Sequence, residues 1–338
     1  MKRFLPVAAL LVLTACDMFD PGLYRKAQSL AIASDVCIEA DVPVLEPSDG
    51  VLQITLDDMS DNWQVANCGM QPALGNDGFF AVDLEAGRKL HIHVNAIDAV
   101  DPTVYIVDSC DERVCQPLNA ASYCPGGKEH LSFLAPLSAR YFVGVDSVDP
   151  GGGRVEVLAI APVCGDGTKD HGEPCEDGNT ERGDGCDDYC RNEVAASERT
   201  ELEPNDDLAT GNVLTSFGEA ASFVVRGTLE GPCDPEVFSF DVPHPATTRV
   251  RLLNADGEGC VALDGVELIL YQGLLEVARA TSDERGCLEV EVAPFPERVA
   301  PFPERVAPAA PSTYHVQLRA LPSSEPAPFG YSLAFDLH

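Results

Sequence analysis

The chain has 338 residues, of which 55 are acidic and 22 basic, for a net charge of −33 spread along its length. That balance excludes nucleic-acid backbone recognition, which needs Lys and Arg, and adsorption to anionic lipid. With 28 Gly, 26 Pro and 45% hydrophobic residues, the composition suits about two turn-rich β-domains with packed cores better than helix bundles.

The chain opens with Met1-Lys2-Arg3 and a short apolar run at 4–13. The run is too short to span a bilayer, which takes about 20 residues, and reads as a signal peptide over residues 1–15. It ends in Leu13-Thr14-Ala15-Cys16, which resembles the lipobox of bacterial lipoproteins. That resemblance implies cleavage before Cys16, lipidation of its thiol and acylation of the new N-terminus. Several acyl chains anchor firmly, so residues 16–34 become a lipid-anchored tether, and the membrane is a partner through that anchor. The implied location is the cell envelope, at the outer membrane or cell surface rather than the inner membrane. Setting Cys16 aside leaves 12 of the 13 cysteines, an even number in an oxidising compartment, so six disulfides are expected.

Residues 35–162 alternate short β-like runs with turns, at 51–56, 79–84, 89–94, 103–107, 130–134, 140–145 and 155–160. Their spacing predicts a β-sandwich. In Leu90-His91-Ile92-His93-Val94 the apolar residues face one way and both histidines the other. The pair reads either as two metal ligands or as part of a solvated strand face, and no third ligand is placed by the sequence. Cys37, Cys68, Cys110, Cys115 and Cys124 lie in this domain. A small loop bridge from Cys110 to Cys115, with Cys37 to Cys68 as a second, is one arrangement that fits, and connectivity does not follow from sequence.

Residues 163–193 are dense in Gly and acidic residues and nearly free of apolar ones, so cross-links must hold them. Cys164, Cys175, Cys186 and Cys190 are expected to form two short-loop bridges, each stabilising by roughly 2–4 kcal/mol. Zinc is the rival for four cysteines, but thiolates oxidise outside the cell and no C-x-x-C pair exists. Asp166, Glu176, Asp177, Asn179, Asp184, Asp187 and Asp188 supply hard oxygens for calcium, although their spacing is not that of the EF-hand. The stretch reads either as a disulfide knot with Asx turns or as a structural calcium site. Its CGDG, E-x-C-x-DGN and GDGC segments and final Glu193 resemble the Myxococcus cysteine-rich (disulfide-rich) repeat. That resemblance implies an extracellular or envelope protein and says little about activity.

A linker at 194–202 leads into a second β-domain at 203–338. Glu203-Pro204-Asn205-Asp206-Asp207, the aromatic run Phe238-Ser239-Phe240, Tyr314-His315-Val316 and Tyr331-Ser332-Leu333 occur in that order. They resemble the bacterial pre-peptidase C-terminal domain over about residues 201–337, which implies a jelly-roll-like sandwich. That family often has Asp-x-Asp before the aromatic strand. This chain has Asp234-Pro235-Glu236, a departure from the pattern that a family calcium site would need. Cys260 and Cys287 can bridge neighbouring loops, and the leftover Cys233 can then pair with Cys124 or another cysteine of the first domain.

The two β-domains can be laid over each other. Residues 88–96 parallel 248–255, and 140–145 parallel 313–318, as a duplication would produce. The heptad at 292–298 repeats without change at 299–305. Its Pro density favours an extended conformation, so it reads as a surface loop inserted between two strands, with a Pro-rich partner motif as the alternative.

No nucleophile elbow, H-E-x-x-H or P-loop occurs. The expected fold class is mainly β: two jelly-roll-like sandwiches joined by a small disulfide-rich module. The expected role is a non-catalytic envelope lipoprotein that binds, adheres or scaffolds, with an unidentified protein or glycan ligand, no nucleic acid and no cofactor other than structural calcium. The second reading is a calcium-dependent accessory module for a secreted protease or polysaccharide, and the third is a cryptic hydrolase.

Overall fold

The computed structural model describes residues 33–47, 51–63, 73–107, 109–111, 121–122, 127–195, 200–215, 222–231, 233–242, 247–260, 265–273, 275–282, 288–292, 312–321 and 328–337. Cys16, Cys68, Cys115, Cys124, Cys287 and the heptads from 293 onward lie outside these residues. The described chain is β throughout, apart from one 3-10 turn at Leu56–Asp58. No helix among the described residues is long and apolar enough to cross a membrane.

The strands of the first half are β1 (Val51–Thr55), β2 (Gly78–Leu84), β3 (Lys89–Ala96), β4 (Pro102–Val107), β5 (Ala121–Ser122), β6 (Lys128–Leu134), β7 (Ala139–Ser147) and β8 (Arg154–Ile160). The second half has β9 (Glu193–Ala195), β10 (Asn212–Thr215), β11 (Ser222–Leu229), β12 (Glu236–Val242), β13 (Thr248–Asn254), β14 (Val266–Gln272), β15 (Leu275–Thr281), β16 (Glu289–Val292), β17 (Ser312–Ala320) and β18 (Phe329–Leu337).

Four sheets form two sandwiches. In the first, β1-β8-β3-β6 packs on β2-β7-β4-β5; in the second, β11-β18-β13-β16 packs on β15-β14-β17-β12-β10-β9. Strand for strand the two orders are the same, with β10 and β9 added to one edge of the second. Alternation explains the layers. Leu90, Ile92 and Val94 of β3 enter one core with Phe80, Val143 and Val157, whereas Val250 and Leu252 of β13 enter the other with Phe238, Phe240 and Phe335.

Unlike an ordinary exposed sheet, β2-β7-β4 is covered on its outer side as well. Val42 and Trp63 pack there on Phe79, Ala81, Tyr105 and Phe142. Cys37 bonds to Cys110, 73 residues away, and straps that segment down. This replaces the Cys37–Cys68 and Cys110–Cys115 arrangement. The physical reason is that the segment carrying Cys37 crosses the sheet and reaches the end of β4, so spatial neighbours win over sequence neighbours.

In the cysteine-rich stretch, Cys164 bonds to Cys190 and Cys175 to Cys186. The stretch is built into both sandwiches. Its tail becomes β9, which pairs in parallel with β10, and Arg191 Nη1 donates to Ser239 Oγ at 3.2 Å. Its loop at 168–175 lies on the outer face of β3, where His91 and His93 are only 4% and 6% exposed. The solvated-face reading of these histidines is thereby corrected: the module covers them.

Candidate functional site: a carboxylate cluster in the second sandwich

The segment entering the second sandwich runs beside β11. Thr200 bridges to Arg226, and the Glu201 N–H donates to the Arg226 carbonyl at 2.9 Å. This aims the Glu201 side chain at Gly227. A Cβ at Gly227 would overlap the Glu201 carboxylate, so only glycine leaves room for it. Glu201 Oε1 accepts the Thr228 N–H at 2.6 Å, and Oε2 accepts the hydroxyl of Tyr331, the residue opposite Gly227 on β18.

Two residues on, Glu203 accepts the Asn205 N–H at 3.2 Å. The Asn205 carbonyl in turn accepts the Val237 N–H at 2.8 Å, fixing this loop against the start of β12. Glu236, the first residue of β12, is fully buried and neither of its carboxylate oxygens has a hydrogen-bond partner. The Asn205 side chain is likewise fully buried, with both polar atoms unpartnered.

Carboxylate oxygens of Glu201, Glu203 and Glu236 all lie within 4.8 Å of one another, as do those of Glu203, Asp206 and Asp234. Glu203 thus links five acidic side chains. Burial, followed by the neighbouring Glu201 carboxylate, pushes Glu236 up to about 11. Burial, then Asp207, raises Asp206 to about 8, and burial, then Asp234, raises Glu203 to about 7. Glu236 is fully buried, Glu201, Asp206 and Asp234 are partly buried, and Glu203 is exposed; carboxylates so close together stay ionised together only when a cation neutralises them. The all-oxygen donor set fits a hard cation such as calcium, which takes six to eight oxygen ligands at about 2.3–2.6 Å.

The seven oxygen donors of the cysteine-rich stretch serve local structure. Glu176 accepts the N–H groups of Gly165, Gly167 and Gly178 at 2.5–3.3 Å. Asp166 accepts from Thr168, Asp177 from Asn179, and Asn179 donates to Asp184. Asp187 is buried in an ion pair with Arg191 at 2.6 Å, and Asp188 pairs with Arg182 at 2.9 Å. None of these carboxylates belongs to the three-ligand groups that the described residues assemble within 4.8 Å. Sequence reasoning passed over Glu201, Glu203 and Glu236 as cation ligands because Asp234-Pro235-Glu236 departs from the family pattern. The available signal was Glu201-x-Glu203-x-Asn205-Asp206 itself, four oxygen-bearing side chains within six residues.

Ser–His contacts also occur: Ser239 Oγ meets His315 Nδ1 at 2.8 Å, and Ser132 Oγ meets His91 Nδ1 at 2.6 Å. Burial pushes both imidazoles down, His315 to about 3, so neither has the near-neutral pKa that suits a general base.

No family model matches the chain, and no curated protein matches it. Among solved structures, the pre-peptidase C-terminal domain of the collagenase from Bacillus anthracis is 13% identical, over 35% of this chain and 94% of that one, with a TM-score of 0.26. The CUB1-EGF-CUB2 region of human MASP-1/3 is 11% identical over 85% of this chain and 99% of that one, with a TM-score of 0.22. The tandem CBM22 domains of Xyn10C from Paenibacillus barcinonensis are 10% identical over 92% and 98%, with a TM-score of 0.22. The chain is a tandem β-sandwich protein with disulfides, which belong to an oxidising compartment.

Proposed function

We propose that the chain is a non-catalytic cell-envelope protein whose second sandwich is a calcium-dependent binding or scaffold module. The observation that carries this reading is the Glu236 carboxylate, buried, unpartnered and facing Glu201 and Glu203. Bound calcium would draw the entry segment 201–206 onto the start of β12 and so lock the second sandwich to what precedes it. The resemblance of residues 201–337 to pre-peptidase C-terminal domains supports an accessory role beside a secreted protease or polysaccharide. The lipobox supports attachment through Cys16 to the outer membrane or cell surface, with a protein or glycan as ligand.

The test is calorimetric titration of the full chain with calcium, together with melting curves in calcium and in chelator. Calcium at a thousand times its Kd stabilises by about 4 kcal/mol, which raises Tm by about 10 °C. Glu236→Gln is expected to abolish both the heat of binding and the Tm shift. A wild-type chain that takes up no calcium and melts alike in calcium and chelator sinks the reading. Turnover of any member of a peptide and glycan panel would overturn the non-catalytic assignment.

A further inference from the structure

Four of the chain's seven histidines meet at one place. On β3, His91 and His93 point away from the core, and antiparallel β6 sets His130 directly opposite His93 on the same face. His171 arrives from the loop of the disulfide-rich module. Two features fix that loop. The Cys164–Cys190 and Cys175–Cys186 bridges enclose it. Gly172, at φ +91°, lies so close to His91 that a Cβ would sit 2.7 Å from the ring.

The geometry is close. His130 Nε2 is 2.9 Å from His91 Nε2, and His171 Nε2 is 2.9 Å from His93 Nε2. His93 and His130 stack with ring centroids 4.7 Å apart. His91, His93 and His130 can each turn a ring nitrogen so that all three lie within 4.8 Å of one another. Three imidazole nitrogens about 2.0–2.1 Å from one tetrahedral ion stand about 3.3 Å apart, well inside that spread.

The surroundings suit neutral imidazole ligands. Burial, reinforced by the other histidines, pushes His91 well below its usual value and His93 down to about 3, so the rings are unprotonated near neutral pH. The hydroxyl of Ser132 meets His91 Nδ1 at 2.6 Å, an outer partner of the kind that sets which ring nitrogen faces a metal. All four rings border a cavity of about 400 Å³ that also reaches Glu129, Glu173 and Asp206, giving an aqueous ion a way in. A neutral, all-nitrogen set selects ions of the zinc, copper and nickel kind and is a poor site for calcium.

We propose that His91, His93 and His130 form a site for a first-row transition-metal dication, which His171 completes from the disulfide-rich module. The ion then cross-links the first sandwich to that module. Asp206 of the carboxylate cluster borders the same cavity, but the two donor sets share no ligand, nitrogens in one and oxygens in the other, so either can fail alone.

The test uses the purified full chain, stripped with chelator and titrated with Zn²⁺ against a chromophoric competitor, with Co²⁺ for visible spectra. One Zn²⁺ per chain is expected, with the absorption of a four-coordinate nitrogen site in the Co²⁺ form. His93→Ala is expected to lose at least 100-fold in affinity. His171→Ala, on the module side and exposed, is expected to lose about 10- to 100-fold while its metal-free melting curve matches wild type. Millimolar Ca²⁺ should displace none of the Zn²⁺. The proposal is overturned if no Zn²⁺ binds, or if affinity is unchanged in His171→Ala and in a folded His130→Gln. Zn²⁺ binding lost in Glu236→Gln but kept in the histidine variants overturns it equally.

Discussion

The two sandwiches share one strand order, yet the same sheet face does different things in each. In the second, the outer face of β13 and β16 carries Arg249 paired with Glu289 and Glu291, and Arg251 paired with Asp336, an ordinary solvated ion-pair surface. In the first, β3 and β6 carry three histidines under the disulfide-rich module, His91 and His93 buried and His130 partly buried. The converse holds for the carboxylate cluster. Matching strand pairs puts Gly78, Leu52 and Val157 in the first sandwich where Glu236, Gly227 and Tyr331 stand in the second. The lesson is that the sheet is a common platform, and what is laid over it decides the chemistry. A cross-linked loop over one face gathers nitrogens, and an entry segment along one edge gathers oxygens.

The largest effect is expected where the first sandwich depends on its strap. Replacing Cys37 and Cys110 together by Ser opens a 73-residue loop and should cost about 4 kcal/mol by loop entropy. Denaturant titration would read it as a lower midpoint, and an unchanged midpoint would show that Val42 and Trp63 hold the segment without the bridge.

Next, Gly227→Leu gives the second sandwich the residue that the first has at Leu52. The new side chain occupies the space of the Glu201 carboxylate, so calcium affinity should fall at least tenfold, with an overpacking cost of about 1–3 kcal/mol in chelator. Calorimetry that finds wild-type calcium affinity would separate Glu201 from the site.

A third, smaller effect concerns acids of the first sandwich that lie apart from either cluster. Asp146 and Asp77 are fully buried, each with one oxygen unpartnered. Burial, then the charge of Asp77, pushes Asp146 up to about 8, and burial raises Asp77 to about 6. Both values exceed the unfolded value of about 4, so the folded state holds more protons between about pH 4 and pH 8. Stability from these groups is therefore present at low pH and lost as pH rises through that window. Asp146→Asn should flatten the fall in Tm between pH 5 and pH 8, measured in saturating calcium to silence the carboxylate cluster. An undiminished slope would assign the pH dependence elsewhere.

The smallest effect is expected on the solvated counterpart of the histidine face. Arg249→Ala removes a pair whose side chains are 39% to 42% exposed, and should change stability by less than about 1 kcal/mol. A larger loss, read by the same denaturant titration, would show that this face too is covered by something.

Much of the fold is legible in the sequence. Period-two patterning placed Leu90, Ile92 and Val94 on one side of a strand and His91 and His93 on the other, because a pleated backbone leaves no alternative. The parallel between 88–96 and 248–255 anticipated two sandwiches of equal strand order. The spacing of Cys164, Cys175, Cys186 and Cys190 required bridges, because a stretch with so few apolar residues cannot hold itself together. What only the tertiary structure decided was which distant residues meet. His130 reaches His91 across 39 residues by strand pairing, and His171 reaches His93 across 78 by docking of the module. Tyr331 reaches Glu201 across 130 residues because β18 and β11 are neighbours. Local pattern dictates which way a side chain points, whereas sheet order and loop docking dictate what it points at, and the chemistry of both clusters lies in the second.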